Sequence, residues 1–125
     1  MIVCSEELID RVLTAATNVH AILGPGLLES VYEAALAIEL DEMGISYERQ
    51  VPINAEFKGH DLGLGFRADM IVEESLLLEL KAVKKVTDLD LAKTITYLDQ
   101  LKIKRGFMLN FHSKKLKDGI KRVSI

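Results

Sequence analysis

Glu79 and Lys81 lie two residues apart in Leu76-Leu77-Leu78-Glu79-Leu80-Lys81-Ala82-Val83, a run that is apolar at odd and even positions alike. Such a run reads as a strand covered on both faces. Alternate residues of a strand share a face, so the carboxylate and the ammonium point the same way and Leu80 the other. Burying an ion costs on the order of several kcal/mol unless a partner or a metal compensates. Asp69, in Phe66-Arg67-Ala68-Asp69-Met70-Ile71-Val72, sits ten positions before Glu79 across a tight turn. Antiparallel neighbours joined in that way can bring their side chains together on one face. Asp69 and Glu79 would then offer hard oxygens to a cation such as Mg²⁺, which takes one or two carboxylates and keeps water for the rest. Lys81, one pleat on, would orient a water or balance charge building on a phosphate. Spacing alone leaves a buried salt bridge to Lys81 as an equal alternative.

The elements that must position these groups follow from periodicity. Leu8, Ile9, Val12, Leu13, Ala16, Val19, Ile22 and Leu23 recur at three- and four-residue spacing, which predicts a helix over the first 23 residues with Ser5 as its N-cap. Gly24-Pro25-Gly26 breaks it, and a second helix runs from about Leu27 to Met43, stopped by Gly44. The period then shortens to two. Val51, Ile53, Ala55 and Phe57 alternate with polar neighbours, Lys58 to Asp61 turn, and Leu62 to Val72 return. A short turn at Glu73-Glu74-Ser75 leads into the buried strand. Leu91, Ile95, Leu98 and Leu101 mark a third helix beginning near Thr87 or Asp88. Gly106 to Phe111 reads as a strand, and Ile120 to Ile125 as a last short one. The third helix permits a crossover and hence a parallel strand pair. The expected fold is α/β, or α+β, a mixed sheet flanked by helices in the order ααβββαβ(β), as one domain over residues 1–125.

Of these 125 residues 49% are hydrophobic, enough for a core and too many for a disordered chain. No apolar run approaches the ~20 residues of a membrane span. Met1-Ile2-Val3-Cys4-Ser5-Glu6-Glu7 lacks a basic segment followed by an apolar one, so no signal peptide is expected. Cys4 is the single cysteine, which fits a reducing cytoplasm, and near a fraying end it is a poor nucleophile. The net charge of −3 conceals an asymmetry. Residues 1–80 carry 15 acidic and 4 basic side chains, whereas residues 81–125 carry 4 acidic and 12 basic ones. A basic half can serve polyanion binding, although scattered solvated lysines explain it equally.

Glu29 falls in the first turn of the second helix, where the dipole alone favours an acid. Tyr32, three residues on, reads as core or as a neighbour of Glu29. Together they form Gly26-Leu27-Leu28-Glu29-Ser30-Val31-Tyr32, which resembles the signature of the GxxExxY protein family. Arg67-Ala68-Asp69 followed by Glu79-Leu80-Lys81 is similar to the Asp…Glu-x-Lys motif of the PD-(D/E)XK nuclease superfamily, to which that family is assigned. The likeness extends over nearly the whole chain, through Val19-His20, Leu23-Gly24-Pro25-Gly26, Arg49-Gln50-Val51-Pro52, Tyr97-Leu98, Leu109-Asn110-Phe111 and Gly119-Ile120-Lys121-Arg122.

The resemblance implies a restriction-endonuclease-like fold and hydrolysis of phosphodiester bonds with Mg²⁺ or Mn²⁺. It implies that Asp69, Glu79 and the Leu80 carbonyl bind the metal. Lys81 would position the attacking water and stabilise the pentacovalent phosphate, and Glu29 would lie at the edge of the site, holding a water or a second ion. Many members carry a Gln four residues before the Tyr-Leu pair, where this chain has Lys93; a lysine there would meet a phosphate as a point charge. Lys84, Lys85 and Lys93 are the nearest candidates for holding DNA or RNA, through charge and with little sequence discrimination. No recognition module or aromatic stacking platform is visible, and a homodimer would let so small a nuclease cover two strands. The alternatives are an inactive nuclease-fold module that binds nucleic acid or acts as an oligomeric scaffold, and a structural ion cluster with function elsewhere. His20 reads as a helix-end histidine bonding a carbonyl, and His60 and His112 as turn residues without zinc spacing.

Overall fold

Ser5 adopts an extended conformation and its side chain accepts the Leu8 amide, so the first helix, α1, starts at its cap and runs Glu6–Leu23. The computed structural model describes residues 4–125; Met1–Val3, on which the signal-peptide reading begins, lie outside the described residues. Cys4 corrects an expectation. It does not fray but is 6% exposed within the larger core, and burial raises its thiol above the ordinary value. The start of α1 is held down by Glu6, whose carboxylate accepts from Arg105 at 2.7 Å and Arg122 at 2.9 Å.

The second helix, α2, spans Glu29–Glu42, two residues later than the periodicity suggested, because Leu28 is extended and serves as its N-cap. The sheet comprises β1 (Tyr47–Phe57), β2 (His60–Val72), β3 (Leu76–Lys81), β4 (Arg105–Asn110) and β5 (Ile120–Ser124), in spatial order β1-β2-β3-β4-β5. Only β3 and β4 are parallel, joined by the crossover helix α3 (Asp88–Leu101). Thr87 and Asp90 form a reciprocal capping box at its start. A short 3-10 helix, Leu116–Gly119, leads into β5 and was not foreseen.

The sheet separates two cores. On one face α1 and α2 cover Met70, Val72, Leu76, Leu78, Leu80, Phe107 and Leu109. On the other, Leu98 of α3 packs with Ala68, Ile71, Leu77, Met108 and Val123. Both faces of β3 are therefore covered, which is why its sequence is apolar without alternation. Among the described residues no helix is long and apolar enough to cross a membrane.

Candidate active site

Leu76, Leu78 and Leu80 belong to the core under α1 and α2, and Leu77 to the core under α3. Glu79 and Lys81 share the parity of Leu77 and so face α3. Lys81 Nζ lies 3.7 Å from Asp90 Oδ1 in the first turn of that helix. Its backbone is fixed as well: the Lys81 carbonyl accepts the Phe111 amide at 2.8 Å. Just beyond, Asn110 clamps the chain, donating to the Val83 carbonyl at 2.8 Å and accepting the Val83 amide at 3.2 Å.

Asp69 stands at a double irregularity. The β2–β3 ladder runs Val72–Leu76, Ile71–Leu77 and Met70–Leu78 and then stops. Continued, it would oppose Asp69 to Glu79. Instead Asp69 Oδ2 accepts the Leu80 amide at 2.8 Å, so a side chain takes the place of a backbone acceptor. On the other side of β2, Arg49 pairs with Met70 and Val51 with Ala68, but the intervening Gln50 and Asp69 are unpaired. Here β2 reverses its faces: Phe66 and Ala68 pack toward α3, Met70 and Val72 toward α1 and α2.

The electrostatics at this seam are severe. Glu79 is 6% exposed, and its Oε1 has no hydrogen-bond partner. Burial first, and then the neighbouring Asp69 carboxylate, push Glu79 up to about 9, with Lys81 pulling only partly the other way. The sheet therefore brings Asp69 and Glu79 together, with Leu80 between them in the bonding pattern. An orphaned buried carboxylate oxygen beside a second carboxylate fits a hard divalent cation. Among the described residues no three His, Cys, Asp or Glu side chains are grouped to hold a metal. Two carboxylates are hard oxygen donors, the kind that Mg²⁺ and Mn²⁺ prefer.

The α2 side supplies the rest. Glu29 Oε1 accepts the Ala82 amide at 3.3 Å, which seats the helix start against the exit of β3. Tyr32 explains how: its ring stacks on Phe111 at 4.4 Å, and its hydroxyl donates to the Gly24 carbonyl at 2.6 Å and accepts the Leu27 amide at 3.1 Å. It is core and loop tether at once. Glu29, Ser30, Glu33, Gln50, Asp69 and Leu80 line a cleft of about 390 Å³. Sequence reasoning passed over Glu33, which is 6% exposed and pairs with Arg49 at 3.1 Å. Its signal was present, four residues after Glu29 on the helical stripe that carries Tyr32 and Leu36.

Lys93 is exposed on α3, one turn before Tyr97 and three residues after Asp90, both of which adjoin the site. Burial, and then the Glu79 carboxylate, raise the Tyr97 hydroxyl. Tyr97 stacks on Phe66 at 4.1 Å, an aromatic pair that no spacing in the sequence announced. Lys84 and Lys85 are exposed and line a different groove, about 360 Å³, with Asn110, Asp118 and Lys121. His20 bonds a carbonyl, that of Ser113 at 2.8 Å. A profile of the PD-(D/E)XK nuclease superfamily matches residues 6–123. No curated protein and no solved structure matches the chain.

Proposed function

The chain belongs to the PD-(D/E)XK nuclease superfamily, and from that premise we propose that it hydrolyses phosphodiester bonds of DNA or RNA with Mg²⁺ or Mn²⁺ held by Asp69, Glu79 and the Leu80 carbonyl. Within the superfamily, Gly26, Glu29 and Tyr32 support a place in the GxxExxY family. One observation carries the reading: Glu79 Oε1 is buried without a partner beside a second carboxylate. A structural ion cluster has its buried oxygens paired as a rule, and this one is not.

A cation held there would supply Lewis-acid polarisation of a phosphoryl oxygen and a more acidic water. The chain's own groups do the rest. Lys81 donates from Nζ to the phosphate, and its separation of 3.7 Å from Asp90 is loose enough to be exchanged for that contact. Asp90 is held below the ordinary carboxylate value, first by the Thr87 amide, so it remains a counter-charge for Lys81. Glu29, seated on the Ala82 amide, holds a water or a second ion at the rim of the cleft. Substrate binding is electrostatic and weakly sequence-specific, through Lys84, Lys85 and Lys93, and the protein acts as a homodimer in the cytoplasm.

The test is cleavage of single- and double-stranded DNA and RNA with Mn²⁺, beside calorimetry of Mn²⁺ alone. Lys81→Ala should abolish cleavage and still bind Mn²⁺; cleavage that persists in this variant, or a wild-type protein that takes up no Mn²⁺, overturns the reading. Lys93 in the place of the usual Gln favours a second reading, an inactive module that binds nucleic acid without turnover. Salt-sensitive binding with no product after prolonged incubation would select it.

A further inference from the structure

Gln50 is the residue between the two carboxylates that face the cleft from opposite sides. Its Nε2 donates to Glu33 Oε1 at 2.7 Å and to Asp69 Oδ1 at 3.4 Å. Both partners are acceptors only, so the amide nitrogen must lie between them; the amide oxygen in that place would be repelled twice. The two N–H groups serve one carboxylate each. The shorter bond anchors the side chain on Glu33, and the longer one leans it onto Asp69.

The anchor is itself anchored. Glu33 is 6% exposed, and its other oxygen accepts from Arg49 Nε at 3.1 Å. The series Arg49, Glu33, Gln50, Asp69, Leu80 amide is continuous, each member held by the one before.

Gln50 also has a left-handed backbone, φ 49°, uncommon for a non-glycine residue and here set within a strand and not in a turn. This occurs where β1 and β2 lose one pair and both strands exchange faces: Tyr47 packs toward α1 and α2, Val51 toward α3. Without that reversal Asp69 would keep the parity of Ile71 and stand under α3. With it, the Asp69 carboxylate lies along the sheet against Leu80.

We infer that Gln50 is a positioning residue for the hydrolytic site: its backbone turns Asp69 out of the pleat and its side chain, braced by Glu33 and Arg49, fixes the carboxylate that grips the cation. The inference rests on the reaction proposed above for its purpose, but the placement of Asp69 can be read independently. Two variants remove the side-chain contact and keep the left-handed backbone. Gln50→Asn tolerates the left-handed conformation but falls one methylene short of Asp69, and Gln50→Gly keeps the conformation at no steric cost without any side chain.

The experiment measures amide hydrogen exchange at Leu80 by NMR together with Mn²⁺ affinity by calorimetry. In both variants Leu80 exchange is expected to rise by about tenfold or more, with the Leu78 and Met70 amides unchanged. Mn²⁺ affinity is expected to fall by about 10- to 100-fold, as when a partner of a metal ligand is lost. Unchanged Leu80 exchange in both variants overturns the inference. If the wild-type protein takes up no Mn²⁺, the reading of the reaction fails, and Leu80 exchange alone still decides the role of Gln50.

Discussion

Asp69 accepts the backbone amide of Leu80 at 2.8 Å at the point where β2 and β3 stop pairing. The carboxylate thereby serves two masters: it closes a sheet that would otherwise show a bare donor, and it stands against Glu79. Asparagine keeps an oxygen for the Leu80 amide and removes the repulsion with Glu79, which offsets the long bond from Gln50 that its amide nitrogen cannot accept. Asp69→Asn is therefore expected to leave Tm unchanged or raise it by about 3 °C, while cleavage falls by at least about 100-fold. A drop of several degrees in a thermal melt would show that the charge holds the fold and not the chemistry.

Tyr32 ties the Gly24–Leu27 loop to the core and so sets where Glu29 begins its helix. Tyr32→Phe retains the stack on Phe111 but strands the Gly24 carbonyl and the Leu27 amide. Urea unfolding should show a loss of about 2 kcal/mol, the penalty for polar groups left without partners. Glu29→Gln, which breaks no tether, should cost less than half of that. Equal losses would mean that the hydroxyl is not what holds the loop.

Glu6 joins α1 to β4 and β5 through Arg105 and Arg122. The hydrogen bond from Arg122 is the main cause that holds its carboxyl below the ordinary 4.5. A depressed folded value means that the contribution is complete above 4.5 and is lost as pH falls through the lower folded value. Glu6→Gln should thus lower Tm at neutral pH, with the gap to the wild type closing as the solution is acidified. The same gap should shrink in high salt, because the pair is exposed. A gap that widens in acid would reverse the assignment.

Lys84 and Lys85 lie in a groove apart from the carboxylates, so they are expected to hold phosphates without touching the reaction. Replacing both by serine should reduce the slope of log K against log salt by about 1 to 2. The turnover of bound substrate should be unaffected. An unaltered slope would place the nucleic acid elsewhere on the surface.

The helices, the meander and the parallel crossover were all legible, because each rests on a period, a cap or a turn that local chemistry dictates. Ser5, Thr87 and Gly44 stand where caps and stops belong. The first four residues of β1, Tyr47 to Gln50, carried no alternation and were missed, since an edge strand with three exposed polar residues has no apolar stripe to show. The conformation of Gln50 was beyond reach: glutamine is no left-handed residue by preference, and only the pairing of two strands with α2 imposes it. Cys4 misled because nearness to a chain end suggested exposure, whereas ion pairs from Glu6 to two strands pin that end against the core. Asp69 and Glu79 could be placed on neighbouring strands, but the break in the ladder that lays the Asp69 carboxylate against the Leu80 amide could not.

The exchange of faces along β2 has an evolutionary corollary. Phe66 and Met70 are four residues apart on one strand, yet they answer to different neighbours, Tyr97 on one side and the α1–α2 layer on the other. Substitutions at one should therefore drift independently of those at the other, as energetically uncoupled positions do. The acid lodged at their boundary belongs to neither lineage of compensating changes, and either layer can be rebuilt while it is left undisturbed.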